Sequence, residues 1–479
     1  MDDIESIICV GCGEENAPSG TFCDNCRTPL DRGNKVSSEE LLDVRKIRES
    51  TRRNARRRRF ITWSLIPVVL VLFFGYKSYE SYQNRPKFPV SDISASEDVG
   101  DWPMYKQNAS HNGFYGRDDF ELEGRIIWTF KTDGPIVSEP AVVASTVYLT
   151  TGHQSDRRIV ALRRSDGSVL WEYDVEYPIE STPAVAEGYV YVSTRDGRVI
   201  SLDRHDGSVR WIYNHSSPLF SSPSIYKGTL YVGTYDKQLL AIDAVNGEIL
   251  WIYDVGSRVS SAPAVNGQIV AFNTDSAYVH IIDSKTGEFR LDFPTAQTYS
   301  SVVISGERIL TADWKGRLRA IDWTKKERLF EKRLRTVRLY LYMWGLTDYL
   351  PVWTGSLWTF APERCKKMEC FKQGFLGTPV AYGGAAYVAS ASGQIYKVDE
   401  FSGEEIWDSS VEAEVTESLV ATNNNVLVAD SDGMIHVLNS ETGGSSARFQ
   451  VEGSASTSPI VARGTLYIGT SDGVLYAIE

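Results

Sequence analysis

A unit of about 40 residues repeats through most of this 479-residue chain and limits what it can fold into. The clearest copy spans residues 221–255. Apolar and polar residues alternate over 229–234, the period of a strand. Lys227-Gly228 and Asp236-Lys237 read as turns. Asn246-Gly247 is a hairpin signal, because a type I′ turn needs positive φ at both central positions. Four short strands per copy result. A proline marks the same place at Pro140, Pro183, Pro223, Pro263, Pro379 and Pro459, and Val302 and Leu419 hold it in two further copies. Tryptophan recurs at Trp128, Trp171, Trp211, Trp251 and Trp407, with Phe289 and Phe330 read as its substitutes.

This period and strand count predict the blades of an all-β propeller. One four-stranded blade cannot bury both faces alone, and an open array leaves two raw edges. The last copy, 458–479, ends after three strands, and residues 125–130 supply the missing fourth. The fold class is therefore a propeller of four-stranded blades closed by strands from both ends. Eight copies are plain. Residues 335–373 (with LYLYMWGL, DYLPVWTG, SLWTFAP and MECFKQ) leave a ninth, degenerate blade open. The repeated tryptophans are assigned to wedging neighbouring blades. Asp196, Asp206, Asp243, Asp432 and Asp472 recur in register and are assigned to turns, since a catalytic group is needed once and not per blade.

Residues 1–30 carry Cys9, Cys12, Cys23 and Cys26 as two CxxC pairs. Each pair offers two thiolates from one tight turn, the pattern of a closed tetrahedral Zn²⁺ site. The module resembles the short zinc ribbons at the N-termini of many prokaryotic proteins, which implies a structural metal. Residues 31–59 form a basic linker with a helix start near Leu41 and nine Lys or Arg between Arg45 and Arg59. Residues 60–76, FITWSLIPVVLVLFFGY, are 17 uncharged residues and predict a transmembrane helix, flanked by aromatics. The arginine cluster before it places the N-terminus in the cytoplasm by the positive-inside rule. A cleaved signal peptide is disfavoured, because no small-residue cleavage site follows. Residues 77–100 read as a juxtamembrane linker, and the propeller as 101–479.

Net charge is −12, with 14 basic and 12 acidic residues in 1–85, so the remainder carries −14. An acidic propeller is a poor general partner for nucleic acid.

The opening DWPMYKQNASHNG and the repeated Gly-x-Leu/Val-Tyr-Val-x-Thr…Asp-Gly…Ala-Ile/Leu-Asp…Gly-x-x-x-Trp resemble the pyrroloquinoline-quinone-type repeat family. That family includes quinoprotein dehydrogenases and the assembly lipoprotein BamB. The resemblance covers about 101–479 and implies the fold more than the function. For a quinoprotein it implies a quinone stacked between a tryptophan and an adjacent Cys–Cys disulfide, with Ca²⁺ beside it. The chain has no Cys-Cys dipeptide and no CxxCH motif, and its six histidines are scattered. A quinone cofactor and an enzyme are therefore not expected.

Two further features stay open. Cys365 and Cys370 flank a four-residue turn and suit either a disulfide in an oxidising compartment or free thiols. Tyr340, Tyr342, Trp344, Tyr349, Trp353 and Trp358 make either an exposed recognition patch or the core of a poorly patterned blade. The resulting expectation is a single-pass protein of a prokaryotic cell membrane. Its propeller lies outside and binds a protein or an envelope polymer. The alternatives are a sensor signalling through the ribbon and a tethered quinone-dependent dehydrogenase.

Overall fold

The computed structural model describes residues 4–32, 34–37, 43, 46, 86–96, 98, 100–117, 122–153, 156–298, 300–327, 331–344, 346–347, 352–362 and 374–479. Residues 60–76, Tyr349, Cys365 and Cys370 lie outside the described residues. Among the described residues no helix is long and apolar enough to cross a membrane. The chain divides into two compact units, Met1–Arg85 and Pro86–Glu479.

The first unit holds a three-stranded sheet in which Ile4–Ile8 pairs with Glu15–Asn16 on one side and Asn34–Ser37 on the other. The third strand extends this module past residue 30, where the cysteine pattern alone ends.

The second unit is an eight-bladed propeller. Seven blades follow in chain order, within 141–174, 184–214, 224–254, 264–294, 303–360, 380–410 and 420–450. The eighth combines Ile460–Ala462, Thr465–Gly469 and Val474–Ile478 with Ile126–Lys131. Trp128 lies opposite Ala477 in that closing pair, so the chain's ends interlock as the sequence requires. The first three strands of each blade are almost wholly buried, whereas the fourth faces water. In Val169–Asp174 the burial runs exposed, exposed, buried, exposed, intermediate, exposed, and the buried residue is Trp171.

That residue docks each blade on the next. The indole Nε1–H groups of Trp128, Trp171, Trp211 and Trp251 donate to the carbonyls of Arg164, Arg204, Ala244 and Ser284. Three residues beyond each carbonyl sits a glycine with φ near +70°, against whose Cα the indole lies. A Cβ built at Gly247 would meet the Trp211 ring at 2.7 Å, so this turn requires glycine for both its φ and the close approach.

Register corrects two substitutes. Ile281 pairs with Leu291 where Ala241 pairs with Trp251, so fully buried Leu291 holds the docking position in blade four. Phe289 is 45% exposed. In blade five the docking residue is Trp358, opposite Ala320, with its Nε1–H on the Glu400 carbonyl; Phe330 lies outside the described residues.

No ninth blade forms among the described residues. The segment read as LYLYMWGL belongs to a helix, Glu331–Met343, inserted between the third and fourth strands of blade five. Ser356–Phe360 takes the outer strand position beside Arg317–Asp322. The alternating Leu-Tyr-Leu-Tyr therefore has no strand to pair with. Its Leu, Arg, Lys and Met residues favour helix, and Glu331 suits the N-terminal dipole.

Candidate functional site

In the first unit the two CxxC turns bring Cys9, Cys12, Cys23 and Cys26 together, with all four sulfurs within 4.8 Å of one another. Cys9 and Cys26 Sγ are 3.5 Å apart, as are Cys12 and Cys23 Sγ. A tetrahedron with Zn–S bonds of roughly 2.3 Å needs sulfurs about 3.8 Å apart, so the cluster is close to that size. The Gly11 N–H points at Cys9 Sγ and Asn16 Nδ2 at Cys23 Sγ. The Thr28 hydroxyl beside Cys26 holds that thiol down at about 6, and the Cys26 backbone N–H lowers Cys23. Contact with Cys26 pushes Cys12 up to about 12. Four thiolates this close repel unless a cation sits among them, and the surrounding donors favour thiolates. These residues fit a metal ion. Among the described residues the buried apolar cluster there is Ile7, Cys9, Cys23 and Leu30, with Cys12 packed against it, a small core of the kind that a bound metal supports.

In the second unit the concave space that a propeller offers is its central channel. Here residues 100–115 cross it. Trp102 exchanges both backbone hydrogen bonds with Val142 of blade one, and Pro103 accepts from Val185 of blade two. His111 reaches Ser224 of blade three at 3.2 Å and the Val302 carbonyl of blade five at 3.3 Å. Ala109 and Ser110 accept from Val265 and Ile304, and Asn112 and Gly113 from Ala381 and Ala421. The Tyr115 hydroxyl accepts from Gly464 of blade eight. One segment thus bonds the inner strand, or the turn beside it, in all eight blades. Trp102, Met104, Lys106, His111 and Tyr115 within it are fully buried.

The channel wall carries a ring of hydroxyls from the residue before each proline position. Ser222, Ser301, Thr378, Ser418 and Ser458 each accept a hydrogen bond from the backbone N–H of the preceding blade's equivalent residue, at 2.8 to 3.2 Å. Glu139 and Ala262 depart from this pattern, and Glu417 from the neighbouring one. Glu139 replaces the hydroxyl in blade one and lies 3.0 Å from Lys106 Nζ, both groups buried. Glu417 occupies the position two before Leu419, where most blades carry Ser or Thr. Burial, then the nearby Glu139 charge, pushes Glu417 up to about 7 against the pull of Lys106. Burial takes His111 down to about 3, with Lys106 adding to the shift. Comparing the residues before each proline across the repeat would have revealed both carboxylates; the sequence reading passed over them.

The predicted aromatic set divides. Trp358 is a blade-docking residue. Trp353 lies half-buried under the Arg335 guanidinium at 4.0 Å. Tyr340, Tyr342 and Trp344 are exposed on the inserted helix and just beyond it, at 51%, 40% and 70%.

These features define an eight-bladed propeller whose own chain crosses its channel. The chain belongs to the family described as outer membrane protein assembly factor BamB, whose model matches residues 120–179, 155–341 and 353–479. Among solved structures it is similar to BamB from Moraxella catarrhalis, at 17% identity and a TM-score of 0.57, covering 74% of this chain and 96% of that one. The quinohemoprotein alcohol dehydrogenase of Comamonas testosteroni matches at 14% and 0.59, covering 79% and 80%. A europium-containing methanol dehydrogenase matches at 13% and 0.61, covering 78% and 89%. At these identities the likeness shows the fold alone. No curated protein matches the sequence.

Proposed function

We propose that this chain is a membrane-anchored binding scaffold of the prokaryotic cell membrane. Residues 60–76 form its single span, the ribbon sits in the cytoplasm, and the propeller lies outside and docks a protein or an envelope polymer by its surface. It performs no quinone chemistry. The observation that carries this reading is the course of residues 100–115, which cross the channel and bond the inner strand, or the turn beside it, in all eight blades. The adjacent cysteine pair that the quinoprotein resemblance implies is missing from the sequence. The family described as an assembly factor supports a role in protein contacts. Cys9, Cys12, Cys23 and Cys26 hold one Zn²⁺, which supplies folding energy to the ribbon and no reaction.

Protease added to sealed cells tests the arrangement. The propeller should be digested and a fragment holding the ribbon protected. Protection of the propeller, or loss of the whole chain from the membrane fraction, would refute it.

A further inference from the structure

We infer that the inserted helix of blade five is a lipid-contacting element that lays one face of the propeller on an anionic bilayer surface. This deepens the anchored reading above and rests on it for the bilayer's presence. The helix Glu331–Met343 is pinned near its start. Arg335 is buried, pairs with Glu327 at 3.0 Å and covers Trp353, and Thr354 donates to Glu331. Beyond that clamp the helix projects. Leu334, Val337, Tyr340 and Trp344 recur at three- and four-residue spacing, and each is more than half exposed. Such an apolar stripe on a soluble face is costly without a covering phase.

Charge selects the phase. Residues 324–355 carry seven basic and three acidic side chains, while the rest of 86–479 carries 29 basic and 47 acidic. The insertion is thus a cationic island on an acidic propeller. Leu, Tyr and Trp beside the exposed Arg338 are the composition of an interfacial helix, whose amphipathic rings sit at headgroup level and whose cation meets anionic lipid.

Position agrees. In each blade the turn joining strands one and two lies beside that joining strands three and four, as the bonds from Ala244 N–H to the Gly228 carbonyl and from Trp323 N–H to the Glu307 carbonyl show. The insertion leaves blade five on this face. The incoming chain reaches the same face in blade three. There Val90 N–H bonds Asp243 Oδ2 at 2.7 Å, and the Ile93 carbonyl accepts from Gly228. Only ten residues separate Tyr76, the end of the apolar run, from Lys87, whose N–H bonds the Leu250 carbonyl. Such a tether spans at most about 35 Å, so under the anchored reading the chain enters the propeller on the face that bears the helix.

The test uses residues 86–479, which close their ring with their own strands, and vesicles of phosphatidylcholine with or without phosphatidylglycerol. The fragment should sediment with the anionic vesicles only. Y340A/W344A and, separately, R338E should weaken this roughly tenfold or more without lowering the melting temperature. A fragment that stays in the supernatant with both vesicle types overturns the inference. So does binding that survives all three substitutions, or self-association that they abolish in the absence of vesicle binding. Alkaline extraction of membranes containing the full chain reports the anchor separately. A chain that resists extraction while its propeller ignores vesicles keeps the anchor and loses this inference. A chain that is extracted while its propeller binds vesicles does the reverse.

Discussion

Trp251 and Trp344 carry the same side chain in opposite circumstances, and the difference is measurable. Trp251 is 6% exposed, donates to Ser284 and rests on Gly287 of the next blade. Trp251→Ala should cost about 3–5 kcal/mol through the cavity and the orphaned carbonyl. Trp344→Ala should stay within about 0.5 kcal/mol, as a surface change. Denaturant midpoints of the two variants separate them. Glu417 gives a residue-scale prediction in pH. Its carboxyl is raised to about 7 in the fold, so the native state binds the extra proton and stability falls as pH rises from about 4.5 toward 7. His111, held near 3, has the opposite sign: the unfolded chain takes the proton below about 6.5, and stability falls as pH drops. The two slopes oppose each other between about 4.5 and 6.5. Glu417→Gln should remove the first, leaving a melting temperature that climbs with pH through that window, and should stabilise the propeller at pH 8. The docking tryptophans were legible because their spacing is regular. The channel carboxylates were harder to see, because each occurs once and only register shows what it replaces.

At the scale of elements, the blades were readable and the insertion was not. Alternation and prolines mark strands that the structure reproduces, but residues 244–248 form a five-residue connection in which Gly247 alone has positive φ, not the type I′ turn expected at Asn246-Gly247. Residues 331–343 satisfy a strand pattern over four residues, but a strand exists only where a partner edge is free, and Ser356–Phe360 takes that edge. The repeat count hid this, since the 33 residues inserted between Asp322 and Ser356 approach the length of another blade. Residues 86–96 read as linker, yet Ile93 is buried and Ala95 bridges Ala186, because a polar strap with few apolar residues leaves no periodic signal. The ribbon was the converse case, written in four cysteines. Cys9→Ser should abolish metal binding and unfold the ribbon, as seen by elemental analysis and circular dichroism. The propeller's melting temperature should stay unchanged, since its core is its own.

For the whole molecule, closure and filling of the channel decide what the fold can do. The interlock of residues 126–131 with Val474–Ile478 was visible from the count of strands at each end. That the opening segment would turn inward and bond every blade was not, since DWPMYKQNASHNG has neither strand nor helix periodicity; its route is set by tertiary contacts. Family membership leaves both binding and redox propellers in view. The most direct measurement is calorimetric titration of the purified full chain with pyrroloquinoline quinone and Ca²⁺, followed by a dye-reduction assay over alcohols and sugars. The expected result is no saturable heat and no substrate-dependent reduction. Stoichiometric quinone binding with dye reduction would contradict a propeller that works by its surface.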